Sequence, residues 1–398
     1  MADRRVGLWL VGAYGGVGTT TAVGLAALGR GLTSQTGLVT ALPPFESVPF
    51  DSPAAFTLGG HDVRGGTFTA SAEEFRSRSG VFSESLLRAV DGELAAWSKN
   101  VQPGVVFRPD AATAQLADRP DVRTAGTPRA AVEIVQSDLR AFQSANRLDQ
   151  VVVVNCASTE PPVEMTAAFQ TVNQFDALLD RADAPTPASV LYAVAALSAG
   201  FPYVNLTPSL GASFPAAEEL ARTRGVPHLG QDAKTGETLL KSVLAPLFAR
   251  RNLKVLSWVG HNILGNRDGR VLADPHNKAS KVKSKDALLA ELLGYRPQSL
   301  VSIEYIESLD DWKTAWDHVH FEGFLGTKMT LQFTWQGCDS LLAAPLVIDL
   351  ARLALLAQRK GEAGVVPAAA CFFKSPLGTA EHDFGKQFAL LEHYLLGR

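Results

Sequence analysis

Blocks of apolar residues alternate with amphipathic segments, and this pattern predicts strands followed by helices. The apolar run Arg5–Val11 suits a buried strand, and the small residues of Thr19–Leu28, which follow a glycine-rich loop, predict a helix. A second short strand is predicted at Leu38–Leu42. The amphipathic segment Ala130–Ala145 predicts a helix, and the β-branched run at 151–155 after it is typical of the middle of a parallel sheet.

The same alternation continues to about residue 250. Helices are predicted near 188–199, near 215–224 and over Glu237–Arg250, with strands at Tyr203–Leu206 and His228–Gly230 between them. Strands separated by helices of this length imply right-handed crossovers and a doubly wound sheet.

Two regions depart from the alternation. The segment from about 43 to 128 is rich in Pro, Gly, Ser and Ala, so we expect an irregular insertion with one or two helices, among them Glu84–Trp97. After Leu253, strand-like segments flank the polar stretch NRDGRVLADPHNKASKVKSK, which predicts a second domain on an open, mixed sheet. An apolar helix at Leu341–Leu356 and a strand-like run at Ala368–Phe373 are expected to return to the first domain.

Composition narrows the class of protein. The 398 residues are 46% hydrophobic and 19% charged, with a formal net charge of −3. This balance does not favour a polyanion-binding surface, and no apolar run reaches the roughly 20 residues that cross a bilayer, so we expect neither nucleic acid nor a membrane as partner. The three cysteines lack CxxC spacing, which fits a reducing cytoplasm and predicts no metal site.

The glycine-rich loop within VGAYGGVGTTTAVGLAALG (11–29) resembles a P-loop without its lysine, because Thr19 occupies that position. A P-loop ATPase, a purely structural turn and a dinucleotide site are the three interpretations. Thr19 cannot supply the charge that reaches terminal phosphates, so we favour a dinucleotide site whose backbone amides approach a pyrophosphate. Its residues are Gly12, Gly15, Gly16, Val17 and Gly18. The nearest acid for ribose hydroxyls is Asp62, predicted to lie on an exposed turn.

Lysine is distributed unevenly along the chain. Of 13 lysines, only Lys99 precedes position 234. Lysine can lose its proton when desolvated and can act as acid or base, so the skew suggests chemistry in the second half, although a local surface preference explains it equally well.

Three lysines and one threonine are candidates for chemistry by their spacing and surroundings. Lys281 and Lys285 lie four residues apart, so on a helix they share one face, either around an anion or as a solvated charged face. Lys374, in FFKSPL, either reaches solvent or is desolvated, which would make its proton easier to release. Thr235, in DAKTGET, predicts a helix N-cap, and the amides that follow it also form an anion site.

Four segments in order resemble the myo-inositol-1-phosphate synthases: LGQDAKTGETLLKSVL, GHNILGNRDGRVL, CDSLLAAPLVIDL and FFKSPL. The segments GGHD and VVVVNCASTE also correspond, so the resemblance covers essentially the whole chain. It implies bound NAD and the cyclisation of glucose 6-phosphate through oxidation at C5, enolisation at C6, attack of C6 on the C1 aldehyde and return of the hydride. It also implies a homo-oligomer, usually a tetramer.

The resemblance assigns roles to individual residues. Lys281 and Lys285 would bind phosphate and oxyanions, Lys374 would act at the C5 oxygen, and Lys313 would stabilise charge on the C1 oxygen. The other implied residues are Asp339, which orients a lysine, Asp268, Asn262 and Asn266 around the sugar, Thr235, Gly236 and Thr238 at the phosphate, and Asp232, Ser158 and Thr159 at the cofactor.

Gln231, Arg267, Trp312 and Cys338 depart from the family motifs. The departures leave open a related cyclase that closes another sugar phosphate, such as fructose 6-phosphate, to a five-membered carbocycle. A P-loop ATPase and a catalytically inactive NAD-binding regulator are the alternatives of other classes.

We therefore predict an α/β protein with a Rossmann-type, doubly wound parallel sheet and an inserted α+β domain on an open mixed sheet. The expected units are an NAD-binding domain at 1–238, a catalytic and oligomerisation domain at 239–339, and a C-terminal segment at 340–398 that returns to the first.

Overall fold

The computed structural model describes residues 4–109, 114, 117–265 and 288–397. Its two larger sheets are a seven-stranded parallel sheet and a four-stranded mixed sheet. Lys281, Lys285, Asp268 and Asn266 lie outside the described residues.

The parallel sheet has the strand order β13-β8-β7-β6-β1-β2-β3. Its strands are β1 (Val6–Val11), β2 (Phe56–Asp62), β3 (Val101–Pro103), β6 (Gln150–Asn155), β7 (Tyr203–Asn205), β8 (Pro227–Leu229) and β13 (Gly364–Val365). A separate two-stranded sheet pairs β4 (Val105–Val106) with β5 (Arg123–Thr124).

The described helices lie on both faces of this sheet and beside the mixed sheet. They are α1 (Gly16–Gly29), α2 (Phe68–Ser79), α3 (Glu84–Ser98), α4 (Pro128–Asn146), α5 (Val172–Leu179), α6 (Ala188–Ala199), α7 (Pro215–Arg224), α8 (Gly236–Arg250), α9 (Asp339–Arg359) and α10 (Phe384–Leu396).

Strand β1 shows why the sheet is doubly wound. All six of its residues are buried, as expected of a parallel strand covered on both faces. Leu8 and Leu10 pack into one apolar cluster with residues of α1 and α9. Trp9 and Val11 point to the opposite face and pack with residues of α4 and α6.

The mixed sheet has the order β10-β9-β11-β12, formed by β9 (Lys254–Leu264), β10 (Gln298–Tyr305), β11 (Trp312–Glu322) and β12 (Lys328–Cys338). β9 and β10 are parallel, whereas β11 is antiparallel to both of its neighbours. The inner face carries Trp258 and Val319 against Ala245 and Phe248 of α8, so α8 joins the phosphate-site candidates to this sheet.

By length and composition α9 could cross a bilayer, although Asp349 and Arg352 interrupt its apolar residues. However, 72% of its most apolar window is buried inside the protein. A core helix has the same length and composition, and α9 packs against α1 in the main apolar cluster.

The second strand of the sheet was predicted at the wrong place. Leu38–Leu42 contains a short 3₁₀ helix at Val39–Ala41, and the second strand is β2. Residues 43–128 are therefore not one irregular insertion, because β2 and β3 of the main sheet lie within them. Strand β2 contains glycines where a strand usually has β-branched residues, and this is why the sequence did not predict it. A Cβ at Gly60 would lie 2.3 Å from the Leu10 carbonyl oxygen, so the close packing of β1 and β2 excludes a side chain there.

The strand-like run Ala368–Phe373 was also predicted wrongly. It forms most of a 3₁₀ helix, Pro367–Phe372, and the chain rejoins the parallel sheet just before it, through the two residues of β13. The helix predicted at Leu341–Leu356 lies within α9. The domain boundaries at 238 and 339 stay a prediction.

Candidate functional site

One cavity brings the cofactor and substrate candidates together at the carboxyl ends of the parallel strands. Its lining includes the predicted cofactor residues Gly12, Gly15, Gly16, Val17, Asp62, Ser158, Thr159 and Asp232, and the predicted substrate and catalytic residues Thr235, Thr238, Asn262, Lys313, Asp339 and Lys374. Gly18 and Gly236 support the turns behind the lining.

The glycine-rich loop connects β1 to the amino terminus of α1. Gly12 has φ +85°, and a Cβ there would lie 3.0 Å from Ala157 Cα. Gly15 is the N-cap of α1 and provides no side-chain cap, so backbone amides form the surface at this helix start. A Cβ at Gly18 would lie 2.4 Å from the Ala13 carbonyl oxygen, so Gly18 serves the packing of the turn. A pyrophosphate fits such an end, where amides and the helix dipole favour anions.

Asp62 is the last residue of β2 and lies beside the loop, not on the exposed turn that was predicted. Its carboxylate is 6% exposed and accepts hydrogen bonds from the backbone amides of Tyr14 (2.7 Å) and Arg64 (2.8 Å). Burial raises the pKa of Asp62. A carboxylate offers about four lone-pair positions, so acceptor capacity remains for ribose hydroxyls, as for the acid after the second strand of Rossmann folds.

A buried amide network, which the sequence did not reveal, fixes the strand ends opposite the loop. Asn155 donates to Asn205 Oδ1 (3.2 Å), which also accepts from the Thr207 hydroxyl (2.8 Å). The Thr207 carbonyl accepts the backbone amide of Asp232 (3.1 Å). The cavity side of β6 and β7 is thereby tied to the segment that carries the phosphate-site candidates.

Lys374 and Asp232 form an ion pair, with Nζ 2.9 Å from Oδ1. The backbone amide of Lys374 also donates to the Asp232 carbonyl (2.7 Å), so main chain and side chain fix the same pair. The side chains are 27% and 13% exposed. Lys374 is therefore held at the cavity rather than extended into solvent. Asp232, predicted as a cofactor residue, is placed to orient this lysine.

The turn at 235–238 begins α8. Thr235 is the N-cap, as predicted, but its side chain makes no capping hydrogen bond. Gly236 has φ +56°, a backbone conformation that favours glycine, and Thr238 is 5% exposed. A helix start with two hydroxyl side chains towards the cavity has the donor chemistry of a phosphate site.

The mixed sheet contributes Asn262 and Lys313 from its inner face. Asn262 on β9 lies opposite Ala315 on β11, and Lys313 lies two residues before Ala315. The Asn262 and Lys313 side chains are therefore diagonal neighbours on the same face of adjacent strands. Asn262 is 1% exposed and donates to the Ser302 carbonyl at 3.4 Å.

A second buried acid, Asp311, lies beside Asp339 and was missed in the sequence. It accepts from the Ser340 amide (2.8 Å), the Ser340 hydroxyl (3.0 Å) and the Cys338 thiol (2.8 Å). Burial raises the pKa of Asp311, and burial raises the pKa of Cys338 to about 12, so the thiol stays protonated as a donor. Asp339 therefore has a neighbouring acid, Asp311, although Cys338 departs from the family motif. The adjacent acids Asp310 and Asp311, just before Trp312, were the feature of the sequence that could have indicated this second acid.

Among the residues that the structure describes, no three His, Cys, Asp or Glu side chains are grouped so that they could hold a metal ion.

Comparisons with known proteins identify what the chain is similar to. A family model described as myo-inositol-1-phosphate synthase, one of the NAD-binding models, matches residues 6–395. The chain is 32% identical to inositol-3-phosphate synthase 1 of Bacteroides thetaiotaomicron, over 96% of this chain and 92% of the relative. It is 29% identical to the inositol-3-phosphate synthase of Dictyostelium discoideum, over 89% and 75%.

A crystal structure of inositol-3-phosphate synthase from Caenorhabditis elegans superimposes with a TM-score of 0.87 at 25% identity, covering 99% of this chain and 85% of that one. The family resemblance, the fold class and the NAD cofactor predicted from the sequence are confirmed.

Proposed function

The chain belongs to the myo-inositol-1-phosphate synthase family, and from this premise we propose that it cyclises glucose 6-phosphate to 1D-myo-inositol 3-phosphate. One observation carries the proposal: a single cavity joins the glycine-rich loop and Asp62 to the helix start at Thr235 and to Lys313 and Lys374. A redox cofactor, a phosphate and two ammonium groups are the components that this reaction requires.

The cofactor end of the cavity would hold NAD through backbone and carboxylate groups. When bound, NAD supplies a reversible hydride acceptor, so that oxidation and reduction of the sugar cancel over one turnover. The amides at the start of α1 would bind the pyrophosphate, and Asp62 would accept from ribose hydroxyls. Ser158 and Thr159 would line the same groove.

The substrate end would bind the phosphate at Thr235, Gly236 and Thr238. Lys374, held by Asp232, would transfer a proton to and from the C5 oxygen, and Lys313 would stabilise negative charge on the C1 oxygen during ring closure. Lys281, Lys285, Asp268 and Asn266, which lie outside the described residues, complete the proposed set. Asp339 would orient a lysine.

A product assay tests the proposal. The protein is incubated with NAD and either glucose 6-phosphate or fructose 6-phosphate, and the products are identified by NMR. We expect 1D-myo-inositol 3-phosphate from glucose 6-phosphate, without net formation of NADH. The absence of a cyclised product from either sugar, with NAD bound, would identify an inactive regulator. ATP hydrolysis without bound NAD would favour the P-loop ATPase.

A related cyclase acting on fructose 6-phosphate is the second candidate, since two residues next to the cavity lining, Gln231 and Cys338, depart from the family motifs. Cys338 bonds to Asp311 where the family motif has an acid. Gln231 precedes Asp232 and contacts Ser213 and the Pro208 carbonyl. A five-membered carbocycle formed from fructose 6-phosphate in the same assay would select this candidate.

We also propose a cytoplasmic homo-oligomer, a tetramer by family resemblance. The turn between β11 and β12 supports an intersubunit contact, because Phe324 and Leu325 are 87% and 85% exposed. Light scattering of the wild-type protein and of Phe324→Glu tests this, and a monomeric wild-type protein would refute it.

A further inference from the structure

Three charged side chains lie fully buried beneath the mixed sheet, directly behind the proposed phosphate turn. Glu237 and Lys241 are each 1% exposed, and Asp317 is 0% exposed. The Lys241 ammonium lies 2.5 Å from Glu237 Oε1 and 3.8 Å from Asp317 Oδ1. We call these three residues the buried triad.

The surroundings of the buried triad allow little movement. The Trp258 indole donates to Asp317 Oδ1 at 2.7 Å, and the Lys241 ammonium lies 5.7 Å from the centre of the Trp258 ring. A Cβ at Gly260 would lie 2.6 Å from Glu237 Oε1 and 3.0 Å from Asp317 Oδ1. A glycine at 260 therefore lets strand β9 lie directly against the charges.

The triad connects three elements that each carry a site residue. Glu237 lies between Thr235 and Thr238 at the start of α8. Asp317 is four residues beyond Lys313 on the same face of β11. Gly260 pairs with Asp317 and is two residues before Asn262 on β9.

Buried ion networks are expensive to desolvate, and apolar residues of the same volume often stabilise a protein as well or better. In some proteins a buried network fixes the relative position of the elements that it joins. Such a network suits a site in which the bound phosphate and a catalytic lysine must stay at a fixed distance from each other.

We propose that Glu237, Lys241 and Asp317 are positioning residues that set the phosphate-binding turn 235–238 against the strand carrying Lys313. The inference rests on the proposed function, because it gives the turn a phosphate and Lys313 a reacting oxygen. The three residues of the buried triad are not among those that line the cavity, so their role would be to fix the distance between the turn and Lys313.

The principal test is the triple variant Glu237→Gln, Lys241→Met and Asp317→Asn, which preserves shape and removes all three charges. Kinetics with glucose 6-phosphate, NAD content and thermal melting are compared with the wild type. We expect kcat/KM to fall about 100-fold, as for a misplacement of about 1 Å, with KM rising about tenfold, while NAD content and cooperative melting are retained.

The matched control removes buried charges outside the cavity. Asp349 and Arg352 of α9 are 0% and 9% exposed and bond to Thr40. The double variant Asp349→Asn and Arg352→Met is expected to lower the melting temperature while leaving KM and kcat per folded molecule unchanged. A purely structural role of the triad would give this same result in the triple variant.

A second perturbation leaves every charge in place. Gly260→Ala introduces a methyl group against Glu237, so we expect KM for glucose 6-phosphate to rise in the same direction. If the triple variant does not fold, this variant and Glu237→Gln alone decide the outcome. Wild-type KM in the folded variants overturns the inference.

Calorimetric titration with inorganic phosphate separates this inference from the proposed reaction. We expect phosphate to bind the wild type and to bind the triple variant about tenfold more weakly. If no cyclised product forms but this difference in phosphate affinity is found, the proposed reaction fails and the positioning role stands. Equal phosphate affinities overturn the positioning role whether or not the reaction occurs.

Discussion

The two ends of the cavity present different chemical groups to an anion. At the cofactor end, glycines expose backbone amides at the start of α1, and Thr19, at the position of a P-loop lysine, is 0% exposed. At the substrate end, Lys313 and Lys374 line the cavity, and Lys241 is buried behind it. Backbone amides suffice to hold a pyrophosphate, whereas moving protons requires a group that titrates. Of the 12 lysines that follow position 233, Lys313 and Lys374 line this end of the cavity.

The largest effect should come from removing the titrating group at the substrate end. Lys374→Ala is expected to lower kcat by about 10³-fold or more, within the range for loss of a general acid or base, while NAD stays bound. Product formation by NMR and the NAD content of the purified protein measure the two effects. Lys360→Ala, whose ammonium contacts the Tyr394 carbonyl away from the cavity, is the control. Substantial turnover by Lys374→Ala would remove this lysine from the mechanism.

The next effect should come from the backbone of the cofactor end. Gly18→Ala places a methyl group 2.4 Å from the Ala13 carbonyl oxygen, so we expect a loss of about 1–3 kcal/mol in unfolding free energy and at least about tenfold weaker NAD binding. Gly24→Ala, in the same helix, meets no atom within 4 Å and should stabilise by about 0.5–1 kcal/mol. Denaturant unfolding and NAD titration measure both. Equal behaviour of the two variants would contradict the packing role of Gly18.

Lys234, beside the phosphate turn, allows a test by pH. Burial lowers its pKa from 10.5 to about 8, and its ammonium contacts Gln387 of α10. Between pH 8 and 10.5 the unfolded chain keeps the proton that the folded chain releases, so the unfolding free energy should rise by about 3 kcal/mol across this window.

Urea unfolding of the wild type and of Lys234→Met between pH 7 and 10.5 measures this contribution. The difference in stability between the two proteins should change across that window, and it should stay constant for the exposed control Lys328→Met. If the stability difference between the wild type and Lys234→Met stayed constant with pH, burial would not shift the pKa of Lys234.

The smallest effect is expected at Cys338. Cys338→Ser keeps a donor towards Asp311 and should change kcat less than about threefold, whereas Cys338→Ala leaves the buried Asp311 carboxylate with one donor fewer and should cost about 1 kcal/mol of stability. Steady-state kinetics and denaturant unfolding distinguish the two variants. Equal stability of both would show that the thiol does not act as a donor.

The sequence predicted best where periodicity and burial coincide. The strand in Arg5–Val11 and the helices near 188–199 and 215–224 were located within one or two residues, because long apolar or amphipathic runs report burial directly. It failed at β2, where close packing required glycines in place of the β-branched residues that mark a strand. The same failure put Asp62 on a turn, when it ends the second strand.

By itself, the sequence determined the family, the alternation of strands and helices, the glycine-rich loop and the lysines of the second half, since each depends on neighbouring residues or on ordered motifs. Only the tertiary structure decided which side chains meet. Asp232 with Lys374, Asp311 with Cys338, and Lys241 with Asp317 are separated along the chain by 142, 27 and 76 positions. Their partnerships arise where strand ends and helix starts converge, and pairing at such distances leaves no local pattern in the sequence.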